Sequence, residues 1–164
     1  MDGTVRVCRV NHTLPSIAAE IHSVQTRAYT QEAALLGAVN FPPLRRTVDD
    51  VRTSLEEFLV AYHGDLTVGV IGFQSEPACQ AINISSLVVA PPYQRQGIAR
   101  RLVAEVLRMY SDLGLTVQTG ARNHPALALY AQLGFTHFRQ WRAASDDVEL
   151  VELRRAPFVE GNAS

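Results

Sequence analysis

Apolar residues at Leu14, Ile17, Ala18, Ile21, Val24 and Ala28 recur at steps of three and four, the spacing that lines one face of a helix. Thr13 or Ser16 is available as its N-terminal cap, and the helix continues or restarts over residues 32–39. Asn40-Phe41-Pro42-Pro43 then breaks it, because proline lacks an amide donor and pushes the residue before it out of helical geometry. Thr47 followed by Asp50 predicts the start of a second helix, an arrangement like a capping box with Asp in place of Glu or Gln. Ahead of both, residues 4–10 alternate in a β-rich way and predict a first strand.

Residues 58–62 and 66–73 are β-rich runs around His63-Gly64-Asp65, whose Gly-Asp pair supplies turn geometry, so they form a hairpin. Residues 81–89 make a third run, ended by Pro91-Pro92. After the loop at 93–97, Ile98, Leu102, Val106, Met109 and Leu113 fall at helical steps, with Gly114 as the expected C-terminal cap. A strand over 115–119, a helix capped by Asn123 and stopped at Gly134, and strands over 135–142 and 148–153 complete the chain. The order β, α, α, β, β, β, α, β, α, β, β predicts an α/β class, a mixed sheet with helices on both faces.

With 164 residues, 47% of them apolar, the chain can bury one proper core. The expectation is a single domain over residues 1–159 and a flexible tail over 160–164, which lacks apolar anchors. The formal net charge of −1 creates no field that draws in a polyanion, so neither nucleic acid nor a membrane is an expected partner. Cys8 and Cys79 have no second thiol or histidine at metal-ligand spacing; they are expected as buried free thiols, with no disulfide framework and no metal. His12, His22, His124 and His137 are scattered singly and suit surface or packing positions, and Trp141 suits a core or an interface. The N-terminal segment has no basic stretch followed by an apolar run, which points to a soluble cytoplasmic protein.

The chemistry concentrates in Gln94-Arg95-Gln96-Gly97-Ile98-Ala99-Arg100, between a strong strand and a strong helix. The unpaired amides of a helix's first turn attract phosphate. Gly97 lets the backbone approach an anion closely, small Ala99 keeps the turn open, and Arg95, Arg100 and Arg101 add positive charge. Cations at a helix N-terminus oppose its dipole, so their placement makes sense with an anion between them. The dinucleotide fingerprint and the P-loop are both absent. The pattern Gln/Arg-x-x-Gly-x-Gly/Ala, filled by Gln94, Gly97 and Ala99, resembles the signature of the GCN5-related N-acetyltransferases. Leu87-Val88-Val89-Ala90-Pro91 before it is similar to that family's strand end. Asn123, the helix Ala126-Leu127-Ala128-Leu129-Tyr130, and Gly134-Phe135 after it are similar too, so the resemblance covers about the whole chain.

That resemblance implies a twisted mixed sheet of about seven strands and acetyl-CoA as cosubstrate. It implies that the main chain of Leu87 and Val89, flanking Val88, pairs with the pantetheine amides as an added strand. The loop from Gln94 would open a cradle in which the amides of Arg95, Gln96, Gly97, Ile98, Ala99 and Arg100 hold the pyrophosphate. Asn123 would stand near the pantetheine arm, and Tyr130 would be the general acid that protonates the departing thiolate. The acceptor amine must be neutral to attack, yet with a pKa of roughly 10.4 only about one molecule in 2,000 is neutral at pH 7. Many relatives place a glutamate on the strand before the loop; this chain has Asn83, Ser85 and Ser86. Ser85 or Ser86 can hold a relay water, and Glu56, Glu57, Tyr62 and His63 are alternative bases. Residues 26–51 correspond to the region that shapes the acceptor site, with Tyr29, Glu32, Phe41 and the two prolines as wall candidates. The expected function is transfer of an acetyl group to a primary amine of a small molecule or peptide. The alternatives are a catalytically silent CoA-binding sensor or partner module, and an acetyltransferase for protein N-termini or lysines. The C-terminal hairpin, residues 135–153, is a candidate homodimer edge.

Overall fold

The computed structural model describes residues 3–143 and 148–157; the expected tail at 160–164 lies outside them. Seven strands form one sheet in the order β1-β2-β3-β4-β5-β7-β6. They are β1 (Val5–Val10), β2 (Glu57–His63), β3 (Leu66–Glu76), β4 (Ala81–Val89), β5 (Gly114–Gly120), β6 (Thr136–Arg142) and β7 (Glu149–Arg155). The helices are α1 (Pro15–Leu36), α2 (Val48–Arg52), α3 (Ile98–Met109) and α4 (His124–Gln132). All pairings are antiparallel except β4 with β5.

The sheet is covered on both faces, and each strand's alternation divides its side chains between two cores. Phe58, Val60, Val70 and Val88 pack with Ala18, Ile21, Val24 and Ala28 of α1 and Val51 of α2. Leu59, Ala61, Ile71 and Phe73 pack instead with Ile98, Leu102, Val103 and Val106 of α3, in a core that also takes Tyr130 of α4. On β4 the alternation changes phase. Ile82 and Ile84 face the α3 core, as do Leu87 and Val89, because Gly72 pairs with Ser86 while the adjacent Phe73 pairs with Ile84, leaving Ser85 as the extra residue of a β-bulge.

Three expectations are corrected: the cap of α1, the role of Gly114 and the burial of the cysteines. α1 continues through residue 32, as one of the two expectations had it, for 22 residues in all, but neither Thr13 nor Ser16 caps it: Leu14 is the N-cap and Pro15 opens the first turn, where a missing amide costs nothing. Thr13 instead hydrogen-bonds Asn11. α3 ends at Met109, and Gly114 is no helix cap but the first residue of β5, where an added Cβ would lie 3.0 Å from the Arg155 carbonyl oxygen. Cys79 is exposed and Cys8 half-buried, so neither is a core thiol. Trp141 is half-buried on β6 with the Arg139 guanidinium 4.6 Å from its ring centre. The capping box at Thr47 and Asp50 is formed, each side chain bonding the other's backbone amide.

Candidate functional site

β4 carries the site because it loses a partner halfway. Its pairing with β5 runs from Ala81 opposite Gly114 to Ile84 opposite Val117 and goes no further, while β5 continues to Gly120 against β7. Beyond Ile84 β4 is open on that side, while Ser86 to Val89 stay paired with β3. Such an edge is a template for a ligand that carries amides. The carbonyl of Val89 at its end accepts a hydrogen bond from Nε2 of Gln94 at 3.0 Å, and the same nitrogen donates to Gln31 of α1 at 2.6 Å.

The open edge leads to the start of α3. Gly97 is the N-cap, at φ +80°, and no side chain caps the turn, so its first amides stay available. Arg95, a non-glycine residue at φ +62°, gives the loop its second left-handed residue. Ile98 is buried against Gly69 of β3, where an added Cβ would lie 2.9 Å from Ile98 Cγ2; glycine there lets α3 sit down on the sheet. The arginines spread further than expected: Arg101 donates to the Val5 carbonyl of β1 and Arg100 to Gln132 of α4, while Arg95 is exposed beside Gly97.

Where β4 and β5 part, a cavity of about 330 Å³ opens. β4 contributes Ser85, Ser86 and Leu87, β5 contributes residues 117–120, and α4 contributes Asn123, Ala126 and Tyr130. Tyr29, Glu32 and Leu36 of α1, then Phe41, Pro42 and Pro43, form another wall, and Leu150 of β7 a further one. Ser86 and Tyr130 thus share one cavity. Burial pushes the Tyr130 phenol well above its usual pKa, and the charges of Glu32 and Tyr29 add to the effect, so it stays protonated at neutral pH. Burial, then the Glu32 charge, raises Tyr29 likewise. Asn123 accepts from the Ala126 amide at 3.3 Å and donates to Glu32 at 3.2 Å. Burial raises the Glu32 carboxyl, partly offset by that hydrogen bond.

The four alternative bases separate. Glu56 comes to the bulge, where Ser85 donates to its Oε2. Glu57, its sequence neighbour, points elsewhere: it pairs with Arg9 and accepts from the Tyr110 hydroxyl. Tyr62 lies under Arg6, and His63 packs beside Tyr93 at 5.5 Å between ring centres. None of the four lines the cavity, Glu56 standing behind Ser85. His12 and His22 bond the carbonyls of Ser54 and Arg46, as packing residues do.

Sequence reasoning missed Gln25, 2% exposed, whose Nε2 donates to Ser86 Oγ at 3.3 Å and whose Oε1 has no partner among the described residues. Its signal was a polar residue four positions after Ile21 on the apolar stripe of α1. The walls from β5 and β7 carried no signal, since they depend on which strands part.

A protein-family model described as an acetyltransferase (GNAT) domain matches residues 54–137. The chain is 33% identical over 136 residues to the UPF0157 protein YqkA of Bacillus subtilis strain 168, covering 82% of this chain and 39% of that protein. It therefore spans well under half the length of that curated relative. The ribosomal-protein-S18-alanine N-acetyltransferase of Escherichia coli superposes with a TM-score of 0.74 at 15% identity, covering 98% of this chain and 99% of that one. RimL, a ribosomal L7/L12 alpha-N-protein acetyltransferase in complex with coenzyme A, superposes with a TM-score of 0.72 at 15% identity, covering 95% and 96%. With the splayed β4, the uncapped turn of α3 and a family match over half its length, the chain belongs to the GNAT acetyltransferase-domain family.

Proposed function

We propose that the chain transfers an acetyl group from acetyl-CoA to a primary amine of a small molecule or peptide, by direct attack in a ternary complex. The observation that carries this reading is one continuous path: the uncapped first turn of α3, the open edge of β4 from Ser85 to Val89, and the cavity holding Ser86 and Tyr130. The pyrophosphate would lie on the amides of residues 95–100, and the pantetheine amides on the main chain of Leu87 and Val89, with Asn123 alongside. An amine must come within about 3–3.5 Å of the thioester carbon in a near-attack pose, and the cavity is the space the path delivers it to. Tyr130 would donate its proton to the departing sulfur, and Ser86 would position a proton-relaying water at the bulge.

The acceptor wall favours an amine on an apolar skeleton, because Tyr29, Leu36, Phe41, Pro42 and Pro43 surround Glu32. Among the described residues no helix is long and apolar enough to cross a membrane. The test is release of free thiol from acetyl-CoA across a panel of alkylamines, arylalkylamines and peptides. Turnover with free amines supports the proposal. Peptides that outcompete free amines would favour protein N-termini or lysines as the acceptors, and tight acetyl-CoA binding without any turnover would replace the proposal with a CoA-binding sensor.

A further inference from the structure

One carboxylate, Glu32, lines the cavity and a second, Glu56, stands behind its Ser85 wall, and their surroundings divide their roles. Glu56, behind Ser85, accepts from Arg46 at 2.5 Å, from the Ser54 hydroxyl at 2.7 Å and from the Ser85 hydroxyl. Burial raises its carboxyl, but these donors outweigh burial and hold it below the usual carboxylate range. It is an anchor for Arg46 and the bulge and a poor proton acceptor.

Glu32 is the opposite case. It lines the cavity from α1, makes no ion pair among the described residues, and takes one hydrogen bond, from Asn123 at 3.2 Å. Asn123 is itself fixed by the Ala126 amide, so the carboxylate is oriented without being neutralised. The rings of Tyr29 and Phe41, edge to face at 6.1 Å, and the two prolines beside them make this a wall of low polarity. A half-buried anion without a counter-charge is costly, and an arriving ammonium relieves that cost.

We propose that Glu32 takes the proton of the acceptor's ammonium and is the general base that residues 83–86 of β4 do not supply. The inference rests on the acetyl-transfer reading above. The ammonium gives one proton to Glu32, and the freed lone pair forms the nitrogen–carbon bond at the thioester carbonyl. The carbon–sulfur bond then breaks as the Tyr130 proton moves to sulfur. The second proton on nitrogen passes to the Tyr130 phenolate, and Glu32 releases its proton to solvent. The other titratable and charged groups facing Glu32 are Tyr29 on its own helix and Tyr130 on α4, with the Arg46–Glu56 pair beyond Tyr29.

The experiment compares wild type with Glu32→Gln, using an alkylamine, protonated at neutral pH, and a hydrazide of similar shape, neutral there. E32Q is expected to lose on the order of 100-fold in kcat/KM with the alkylamine and only a few-fold with the hydrazide, acetyl-CoA affinity staying within about two-fold. Equal losses with both acceptors, or no loss, would overturn the inference. Should E32Q fail to bind acetyl-CoA, Glu32→Asp decides: it keeps a carboxylate and should retain the wild-type preference between the two acceptors, and a lost preference overturns the role. Wild type inactive with both acceptors defeats the acetyl-transfer reading itself, whereas an active wild type with an undiminished E32Q defeats only the base.

Discussion

Gly97 separates geometry from charge at the start of α3. An added Cβ meets nothing within 4 Å, so bulk alone is tolerated, but φ is +80° and any L side chain there is strained. That strain is about 1–2 kcal/mol and is common to Gly97→Ala, Gly97→Gln and Gly97→Glu. Only the last adds a charge. At a separation of about 6 Å and an effective dielectric of about 20, one carboxylate repels one unit of phosphate charge by roughly 3 kcal/mol, or about 100-fold in Kd. Calorimetric titration with CoA should therefore show similar, modest losses for the Ala and Gln variants and a further loss of about two decades for Glu, shrinking in high salt. Equal affinities for the Gln and Glu variants would mean that no anion binds at this turn, and the placement of the pyrophosphate would be refuted.

Tyr130→Phe should lower kcat on the order of 100-fold with acetyl-CoA affinity nearly unchanged, since the ring keeps its edge contact with Phe135 at 5.2 Å; unaltered turnover would remove Tyr130 as the acid. Gly72→Ala should destabilise the fold by about 1–3 kcal/mol in urea titration, because the new methyl would lie 2.7 Å from Glu56 Oε2 and 2.8 Å from both Phe58 and Ser86 Oγ; a loss under about 0.5 kcal/mol would mean the bulge repacks freely. Glu32→Gln should raise thermal stability at neutral pH. Burial lifts the Glu32 pKa in the folded state, so its ionised form opposes folding; the gain should fade as pH falls through that raised value and vanish below the ordinary carboxylate range. A variant less stable than wild type at pH 7 would show that the carboxylate is better satisfied than its single donor implies.

The strands, the hairpin and α3 were legible because each follows a local rule: period two, Gly at a turn, apolar residues at helical steps. The capping box was legible for the same reason, since Thr47 and Asp50 satisfy each other within one turn. What depends on distant partners was not. Gly114 looks like a helix stop, but it opens β5 opposite Ala81, where an added Cβ would crowd the Arg155 carbonyl. The polar run Thr30-Gln31-Glu32 obscures the apolar stripe of α1, although the helix passes through it unbroken to Leu36. Glu56 and Glu57 are equivalent by sequence; strand pairing sends one behind Ser85 and the other to Arg9. The bulge and the splay of β4 arise from its registers with β3 and β5, which no single run of residues specifies.

Acetyl-CoA is proposed to run from the first turn of α3 along the open edge of β4 to Tyr130, and a crystal structure of the chain with acetyl-CoA bound would show its course. That structure should show pyrophosphate oxygens within hydrogen-bond distance of the amides of residues 95–100, pantetheine amides paired to the main chain of Leu87 or Val89, and the thioester sulfur in the cavity facing the Tyr130 hydroxyl. A cofactor bound with its thioester outside that cavity, or with β4 closed onto β5 beyond Ile84, would contradict it.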